Sequence, residues 1–248
     1  MGCSVSVRGV PIREIMFAAK MGFLSKPLWQ EFFATKSRAQ NARNWKAFRD
    51  LGFFQDHKSK MLPNVLVLAP KAINELQKLG VVPVTQPHLG QYDHDVKVSQ
   101  IILGLEKDKV VDTYTTEAEL KKRFMVWMKT THEGKSAKFP DLTIDLQEPK
   151  SLRKIAIEIE QSLKNFDRYK QIMSNYANAK SIEAVIFVSD QQTVFNRISR
   201  AMKETNYPSW ERPVGFGEMT EWLKNPTAAP IYLSRGTSSI REWTRVAA

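Results

Sequence analysis

The sequence predicts a mixed α/β (α+β) protein, and three observations lead to that fold class. Residues 10–80 carry apolar side chains at helical spacing and end in two short apolar runs of strand length. Residues 93–205 alternate between amphipathic helical segments and short buried strands. Pro83 and Pro87 lie between these regions and mark a linker. We therefore expect two domains, residues 1–82 and 90–248.

Composition excludes a disordered chain and a membrane-spanning one. The 248 residues are 42% hydrophobic and 25% charged, which is enough apolar surface for a core. No apolar run approaches the roughly 18–20 residues of a membrane span, so we expect a soluble, cytoplasmic protein with no membrane partner. Because Cys3 is the single cysteine, an intrachain disulfide and a multi-cysteine zinc site are excluded.

Positive charge is concentrated in the N-terminal third. The whole chain has a formal net charge of +11, and residues 1–80 hold 13 Lys and Arg against 5 Asp and Glu. This asymmetry favours an anionic polymer, above all nucleic acid, as the partner of the first domain. The alternative is a solvated basic face with no polymer partner.

The first domain has the element order of a winged helix-turn-helix. Helices are predicted to begin at Pro11, after Ser25 and after Ser37, since proline and serine favour helix starts. Two strands follow, Phe53–Gln55 and Val65–Leu68, joined by a basic tip at 56–60, and a last helix ends at Gly80. Three helices, a hairpin and a closing helix predict a winged-helix DNA-binding domain.

The third helix is the predicted DNA-reading element. Its apolar positions recur nearly every three residues, at Ala39, Ala42, Trp45, Phe48 and Leu51. The side chains expected to point away from them and to reach base edges and phosphates are Arg38, Gln40, Asn41, Arg43 and Asn44. Lys58 and Lys60 are expected on the wing, beside the backbone of double-stranded DNA. The alternative is a winged helix that contacts protein.

The second domain is predicted to alternate helices with strands. The predicted helices are Asp93–Lys107, Ser162–Ala179 and Thr193–Thr205. The predicted strands are Val110–Tyr114, Arg123–Trp127, the hairpin of 139–146 with 154–159, Ile182–Val188 and Ile231–Leu233.

Three acids converge on one end of the predicted hairpin. Asp141 opens one strand, and Glu158 and Glu160 end its neighbour on a shared face. Clustered carboxylates at a solvent-accessible strand end predict a site for Mg²⁺ or Mn²⁺, which activates water and stabilises a pentacovalent phosphate. Ordinary exposed acids at strand ends are the alternative.

In this order, these residues resemble the PD-(D/E)xK nuclease superfamily, and more narrowly the replication-relaxation family and MOBC-type plasmid relaxases. The resemblance covers residues 10–205 and rests on the winged helix, on the segment from His94 to Gln100, on the three acids, and on the helix with Tyr169, Lys170 and Tyr176. It implies a restriction-endonuclease-like αβββαβ domain that nicks DNA at a transfer origin during plasmid mobilisation. It also implies an accessory mobilisation protein as a partner, and the residues after Tyr207 either cover the core or contact such a protein.

One position departs from the superfamily pattern. That pattern has lysine where this chain has Glu160, and in some members the lysine migrates to the next helix, where Lys164 and Lys170 are available. Leu163, Phe166 and Met173 define the predicted sheet-facing stripe of that helix, and Lys170 falls on it. We therefore expect Lys170 to complete the catalytic set of Asp141, Glu158 and Glu160; a lysine at a solvated helix edge is the alternative.

The sequence allows more than one role for its histidine and tyrosine residues. His94 either binds phosphate, positions water or acts as a base, or it is satisfied by a backbone group. Asp93 and Asp95 are expected to be N-cap groups. The four histidines are scattered, so the paired-histidine metal site of common relaxases is not predicted. Tyr169 and Tyr176 match core spacing, although attack on DNA by a tyrosine stays open.

The competing function is a non-catalytic DNA-binding regulator or replication initiator. It would use the same winged helix and carry a degenerate nuclease fold. The glutamate at position 160 is its chief support.

Overall fold

A computed structural model describes residues 11–34, 37–122 and 139–244 of the chain. The chain forms two compact units, 1–96 with 118–129, and 97–117 with 130–248. The predicted mixed α/β class is confirmed, because both units combine helices with β-sheet. The predicted strand Arg123–Trp127 lies outside the described residues.

Nine α-helices and ten strands have both ends within the described residues, which also include the 3-10 helix Leu89–Gln91 and the helical residues 117–122. The helices are α1 (Ile12–Met21), α2 (Lys26–Phe32), α3 (Arg38–Asp50), α4 (Pro70–Lys78), α5 (Tyr92–Lys107), α6 (Phe166–Asn178), α7 (Gln192–Glu204), α8 (Met219–Lys224) and α9 (Ile240–Trp243). The strands are β1 (Leu24–Ser25), β2 (Phe54–Asp56), β3 (Val65–Leu68), β4 (Val111–Thr116), β5 (Leu142–Leu146), β6 (Lys154–Ile159), β7 (Ala184–Val188), β8 (Val214–Gly217), β9 (Ile231–Leu233) and β10 (Gly236–Ser238).

The first unit packs its helices on a small antiparallel sheet of order β1-β3-β2. Ser25 and Ser37 cap α2 and α3 through their hydroxyls, as serine before a helix predicts. The rings of Trp29, Trp45 and Phe48 contact one another with centroids 5.5–5.9 Å apart. This aromatic cluster fixes α3 against α2.

The prediction that an apolar stripe runs along all of α3 is wrong for the first half of the helix. Trp45 and Phe48 are buried, but Ala39 and Ala42 are exposed, and Leu51 is 42% exposed. Only the second half of α3 carries side chains large enough to reach the aromatic cluster, so its first turns stay in solvent.

The proline-containing segment after α4 is packed against the first unit. Pro83 and Pro87 are buried, and the Val84 amide donates to the Ala19 carbonyl at 2.7 Å. Gly22 adopts φ +83°, and a Cβ there would lie 2.8 Å from the Gln86 carbonyl oxygen. Glycine is therefore required at position 22 by both its conformation and this close approach.

The second unit is built on a seven-stranded mixed sheet of order β10-β9-β8-β7-β6-β5-β4. Strands β4 to β6 are antiparallel, and β6, β7 and β8 are parallel to one another. Along the chain α5, β4, β5, β6, α6 and β7 follow in that order, with the helical residues 117–122 between β4 and β5. Helices α6 and α7 share a core with one face of β6 and β7, in which Tyr169, Met173 and Ile198 are fully buried.

The residues after Tyr207 extend this sheet by three strands. Trp222 and Trp243 are buried, whereas Trp210 is 76% exposed. Pro226 packs closely on Gly104 of α5, where a Cβ would lie 2.7 Å from the proline ring. The tail therefore covers the core, one of the two roles that the sequence allows.

None of the helices that the structure describes is long and apolar enough to cross a membrane.

Candidate functional site

Asp141 and Glu158 face each other at one end of the β5–β6 hairpin. The observed register pairs Leu142 with Ile157, and one further step places Asp141 opposite Glu158. The Oδ2 atom of Asp141 accepts a hydrogen bond from the Ile159 amide at 2.7 Å. The hairpin register therefore brings the two positions opposite each other.

Glu158 is buried, which contradicts the predicted solvent-accessible strand end. Its exposed fraction is 0%, and its Oε1 accepts a hydrogen bond from the Tyr176 hydroxyl of α6. Burial raises the pKa of Tyr176 well above its usual value, and the charges of Glu158 and Asp141 raise it further. Tyr176 is therefore a neutral donor that holds the Glu158 carboxylate under α6.

Glu160 forms an ion pair with Lys164. The Lys164 Nζ lies 2.6 Å from the Glu160 Oε1, and the glutamate side chain is 1% exposed. The Glu160 amide donates to the Val188 carbonyl at 2.9 Å, which continues the ladder between β6 and β7. Glu160 therefore occupies a fixed position one step beyond the end of β6.

The segment 160–165 is fixed by hydrogen bonds to its main chain. The Ser189 Oγ donates to the Glu160 carbonyl at 2.7 Å, and the Gln191 Nε2 donates to the Gln161 carbonyl at 3.0 Å. From α7, Arg197 donates to the Lys164 carbonyl at 2.7 Å. The Lys164 amide donates to the Tyr169 hydroxyl at 3.2 Å. We call this segment the β6–α6 loop.

The prediction that Lys170 faces the sheet is wrong. Its Nζ pairs with Asp167 at 2.9 Å and lies 3.9 Å from Glu204, on the outer side of α6. The cause is the start of the helix: α6 begins at Phe166 with Asn165 as its cap, so Leu163 belongs to the preceding loop and is 40% exposed. The sheet-facing residues are Tyr169, Ile172, Met173 and Tyr176.

His94 lies in the first turn of α5, within the first unit. Its Nδ1 is 3.3 Å from the Asp95 Oδ1. Because α5 begins at Tyr92, Asp93 and Asp95 belong to the first helical turn and are not N-cap groups.

Tyr169 and Tyr176 are buried in the core of the second unit, as their spacing predicts.

Carboxylate oxygens are suitable ligands for a hard divalent cation, but these acids do not form a complete set of ligands by themselves. Among the described residues, no group of three or more His, Cys, Asp or Glu side chains is arranged to hold a metal ion. Mg²⁺ is commonly bound by only one or two carboxylates together with water and substrate phosphate. Asp141 and Glu158, opposite each other, supply such a pair of oxygen donors.

The predicted DNA-reading side chains lie along α3. Arg38 and Arg43 are exposed, whereas Gln40, Asn41 and Asn44 are half-buried. Arg43 donates to the Gln40 Oε1 at 2.8 Å, and the Gln40 Nε2 donates to the Asn44 Oδ1 at 2.9 Å. These side chains form a hydrogen-bonded row on one side of the helix.

The basic tip of the β2–β3 hairpin is connected to α3 by an ion pair. Arg49 donates two hydrogen bonds to Asp56, at 2.6 and 2.8 Å, and this contact lowers the pKa of Asp56. Lys58 and Lys60 are both exposed on the tip. The tip is thus anchored to the C-terminal half of α3, and we call the exposed polar and basic side chains of α3 and of the tip the α3–wing surface.

Sequence reasoning missed Ser189, Arg197 and the contact of Tyr176 with Glu158. A polar residue directly after a buried strand is a signal that could have indicated Ser189, because parallel strands end at the same sheet edge as the acids. Arg197 carries no such signal, since its role depends on how α7 packs against the β6–α6 loop.

No family model matches the chain, and no curated protein matches it.

Proposed function

We propose that the chain is a metal-dependent DNA endonuclease that nicks DNA at a transfer origin, as its resemblance to plasmid relaxases implies. The observation that carries the proposal is the pairing of Asp141 with Glu158 across β5 and β6. Two opposed carboxylates beside a lysine are the groups that phosphodiester hydrolysis needs, to hold a cation, orient water and neutralise charge.

The topology of the second unit supports the nuclease assignment. A PD-(D/E)xK domain has a helix, three strands, a helix and a strand, and α5, β4, β5, β6, α6 and β7 keep that order apart from the helical residues 117–122 between β4 and β5. The antiparallel β4–β5–β6 arrangement and the parallel β6–β7 pair put the acids at the carboxyl end of β6. Ligands of mixed and parallel sheets commonly bind at such ends.

Asp141 and Glu158 would hold Mg²⁺ or Mn²⁺ in this proposal. The bound ion would supply Lewis-acid stabilisation of the charge that develops on the phosphate. Lys164, and not Lys170, takes the part of the superfamily lysine, because its ammonium group already contacts Glu160.

The first unit would bring double-stranded DNA to the enzyme as a winged helix. Its order α1, β1, α2, α3, β2, β3 and its three-stranded sheet support that assignment. On the α3–wing surface, Arg43 and the side chains hydrogen-bonded with it are suited to contact base edges. Lys58 and Lys60 are suited to bind phosphates. An accessory mobilisation protein completes the proposed set of partners.

A specific observation favours the second candidate, a non-catalytic DNA-binding regulator. Glu158 is fully buried against Tyr176, and Glu160 is paired with Lys164, so both acids already have protein partners. A degenerate nuclease fold would keep such contacts for stability alone.

A nicking assay separates the two candidates. DNA that the protein selects from a random-sequence pool is inserted into a supercoiled plasmid, and conversion to the open circle is followed in Mg²⁺, in Mn²⁺ and in EDTA. We expect cleavage only with a metal, and a loss of more than about a hundredfold in Asp141→Asn with DNA binding retained.

The matched control is Asp145→Asn, on the same strand but paired with Lys154 at 2.9 Å. It should cleave at the wild-type rate. Binding without cleavage in any metal would support the regulator, and undiminished cleavage in EDTA would exclude the proposed site.

A further inference from the structure

The direction of the hydrogen bonds in the row Gln40, Arg43 and Asn44 is fixed by Arg43. A guanidinium group has N–H donors and no acceptor, so the atom of Gln40 that faces it must be the amide oxygen. The Arg43 Nη2 donates to the Gln40 Oε1 at 2.8 Å. The amide nitrogen of Gln40 is then left for its other neighbour, and it donates to the Asn44 Oδ1 at 2.9 Å.

This direction decides which ligand fits the row. Both amide oxygens, of Gln40 and of Asn44, already accept a hydrogen bond within the row. Arg43 uses only one of its N–H groups there, and the Asn44 Nδ2 donates to neither of the other two side chains. A ligand that supplies acceptor atoms therefore fits the row better than one that supplies donors.

The row lies on the side of α3 that faces away from the aromatic cluster. Arg43 precedes the buried Trp45 by two positions, which corresponds to about 200° around the helix. Arg43 is exposed, and Gln40 and Asn44 are half-buried. The row can thus reach base edges when α3 lies in a major groove, which has the width of an α-helix.

Base pairs differ in the acceptors and donors that they place in the major groove. Guanine presents two acceptors, N7 and O6, whereas adenine presents the acceptor N7 beside the N6 donor. Two N–H groups of Arg43 therefore match guanine. The usual contact of asparagine with adenine needs the amide oxygen as well as the amide nitrogen, and in Asn44 that oxygen is directed to Gln40.

We propose that α3 selects a G·C pair through Arg43, and that Gln40 makes Asn44 select an acceptor, guanine or thymine, at a neighbouring pair. Gln40 is a positioning residue in this inference, because it acts by orienting the side chains on either side of it. The inference rests on the proposed binding of double-stranded DNA by the first unit, and it adds the bases that are read.

The experiment selects duplexes from a random-sequence pool with the full-length protein in EDTA, so that DNA is bound and not cleaved. The pair that Arg43 reads is identified as the position whose preference is lost in Arg43→Ala. We expect guanine there, and about tenfold weaker binding when 7-deazaguanine, which lacks the N7 acceptor, replaces it. Inosine keeps N7 and O6 and should bind as guanine does. Another preferred base, or equal binding of 7-deazaguanine, would overturn this assignment.

Gln40→Glu tests the positioning role, because a carboxylate has two acceptor oxygens and no N–H group. It can still accept from Arg43, but the Asn44 amide must turn its nitrogen toward the carboxylate and its oxygen toward the DNA. We expect the guanine read by Arg43 to be kept. The preference at the pair identified with Asn44→Ala should change from guanine or thymine to adenine or cytosine, which present a donor. An unchanged preference at that pair would exclude the role of Gln40.

Ala42→Glu is the matched control for the added negative charge. Ala42 is exposed on the same helix and is not part of the row. Like Gln40→Glu, it should weaken binding to all sequences, because it repels phosphates, but it should leave both base preferences unchanged. The same change of preference in Ala42→Glu would show a charge effect and overturn the positioning role. Thermal unfolding checks that each variant is folded.

Affinity and base preference together distinguish this inference from the function beneath it. If the wild type binds duplex DNA without a preference that depends on Arg43, the assignment of bases is wrong and the DNA-binding function stands. If the wild type binds no duplex, the DNA-binding function and the inference both fail.

Discussion

The Tyr176 hydroxyl donates a hydrogen bond to the Glu158 carboxylate inside the second unit. Both side chains are buried, and the contact joins α6 to the end of β6. A buried carboxylate is costly unless hydrogen bonds replace those of water. This tyrosine therefore helps to keep an acid buried at the end of the sheet.

We expect Tyr176→Phe to lower the free energy of unfolding by about 1–3 kcal/mol, because the buried carboxylate loses a donor. Urea unfolding followed by circular dichroism measures the change. Tyr207→Phe is the control: Tyr207 lies in the same core, and its hydroxyl has no hydrogen-bond partner among the described residues. It should cost less than about 0.5 kcal/mol, and an equal loss in both variants would contradict the role of the Glu158 contact.

The hairpin and its acids could be predicted because they follow from a pattern of period two. Alternation in β6 and the Pro-Asp start of β5 fix which residues face each other, and Asp141 does lie opposite Glu158. The burial of Glu158 could not be predicted in the same way. It depends on where Tyr176 meets the sheet, which is set by the packing of α6.

The case of Lys170 shows that the residue at which a helix begins decides which of its side chains are predicted to face the sheet. Its predicted sheet-facing position depended on Leu163 as part of α6, but Asn165 caps the helix and Leu163 precedes it. Lys164 also lies in the loop, where no helical period governs its direction. Its contact with Glu160 follows from the hydrogen bonds of Ser189 and Arg197, which come from distant parts of the sequence.

The free energy of unfolding should decrease at alkaline pH because the buried Tyr207 hydroxyl ionises. Burial raises the pKa of Tyr207 from 10.0 to about 12. Since the folded-state pKa lies above the unfolded one, its contribution is complete below about pH 10 and is lost as the pH rises toward 12. Urea unfolding from pH 9 to 12 should show a shallower decline for Tyr207→Phe than for the wild type, by at most about 3 kcal/mol. Parallel declines would show that Tyr207 titrates normally.

Measurements of DNA affinity should distinguish the role of the wing from the role of α3 in the α3–wing surface. Lys60→Ala should weaken binding to all sequences and reduce the slope of log affinity against log salt by about one, as for a lost phosphate contact. Arg43→Ala should instead relax the preference at one base pair by about 1–3 kcal/mol. Fluorescence anisotropy with selected and mismatched duplexes measures both effects.

Lys78→Ala is the control for that comparison. Lys78 is an exposed lysine of α4 and pairs with Glu75 at 2.8 Å, so its loss should change neither the slope nor the preference. If all three variants weakened binding equally, the basic charge of the unit would act as a diffuse field, and α3 would not read bases.

Arg197 should control the order of the β6–α6 loop. Arg197→Gln removes the charge-assisted hydrogen bond to the Lys164 carbonyl, which crosses from α7 to the loop at 2.7 Å. We expect amide hydrogen exchange in residues 161–165 to accelerate by about ten- to a hundredfold, since a contact of this kind contributes about 1.5–3 kcal/mol. Arg197→Lys, which retains a charged donor, should restore part of the protection.

Lys203→Gln is the matched control on the same helix. Lys203 is exposed in the last turn of α7, and substitutions of exposed side chains commonly change stability little. Loop exchange should therefore stay at the wild-type rate in Lys203→Gln. If exchange also stayed unchanged in Arg197→Gln, Ser189 and Gln191 alone would hold the loop. In that case the position of Lys164 beside Glu160 would owe nothing to α7.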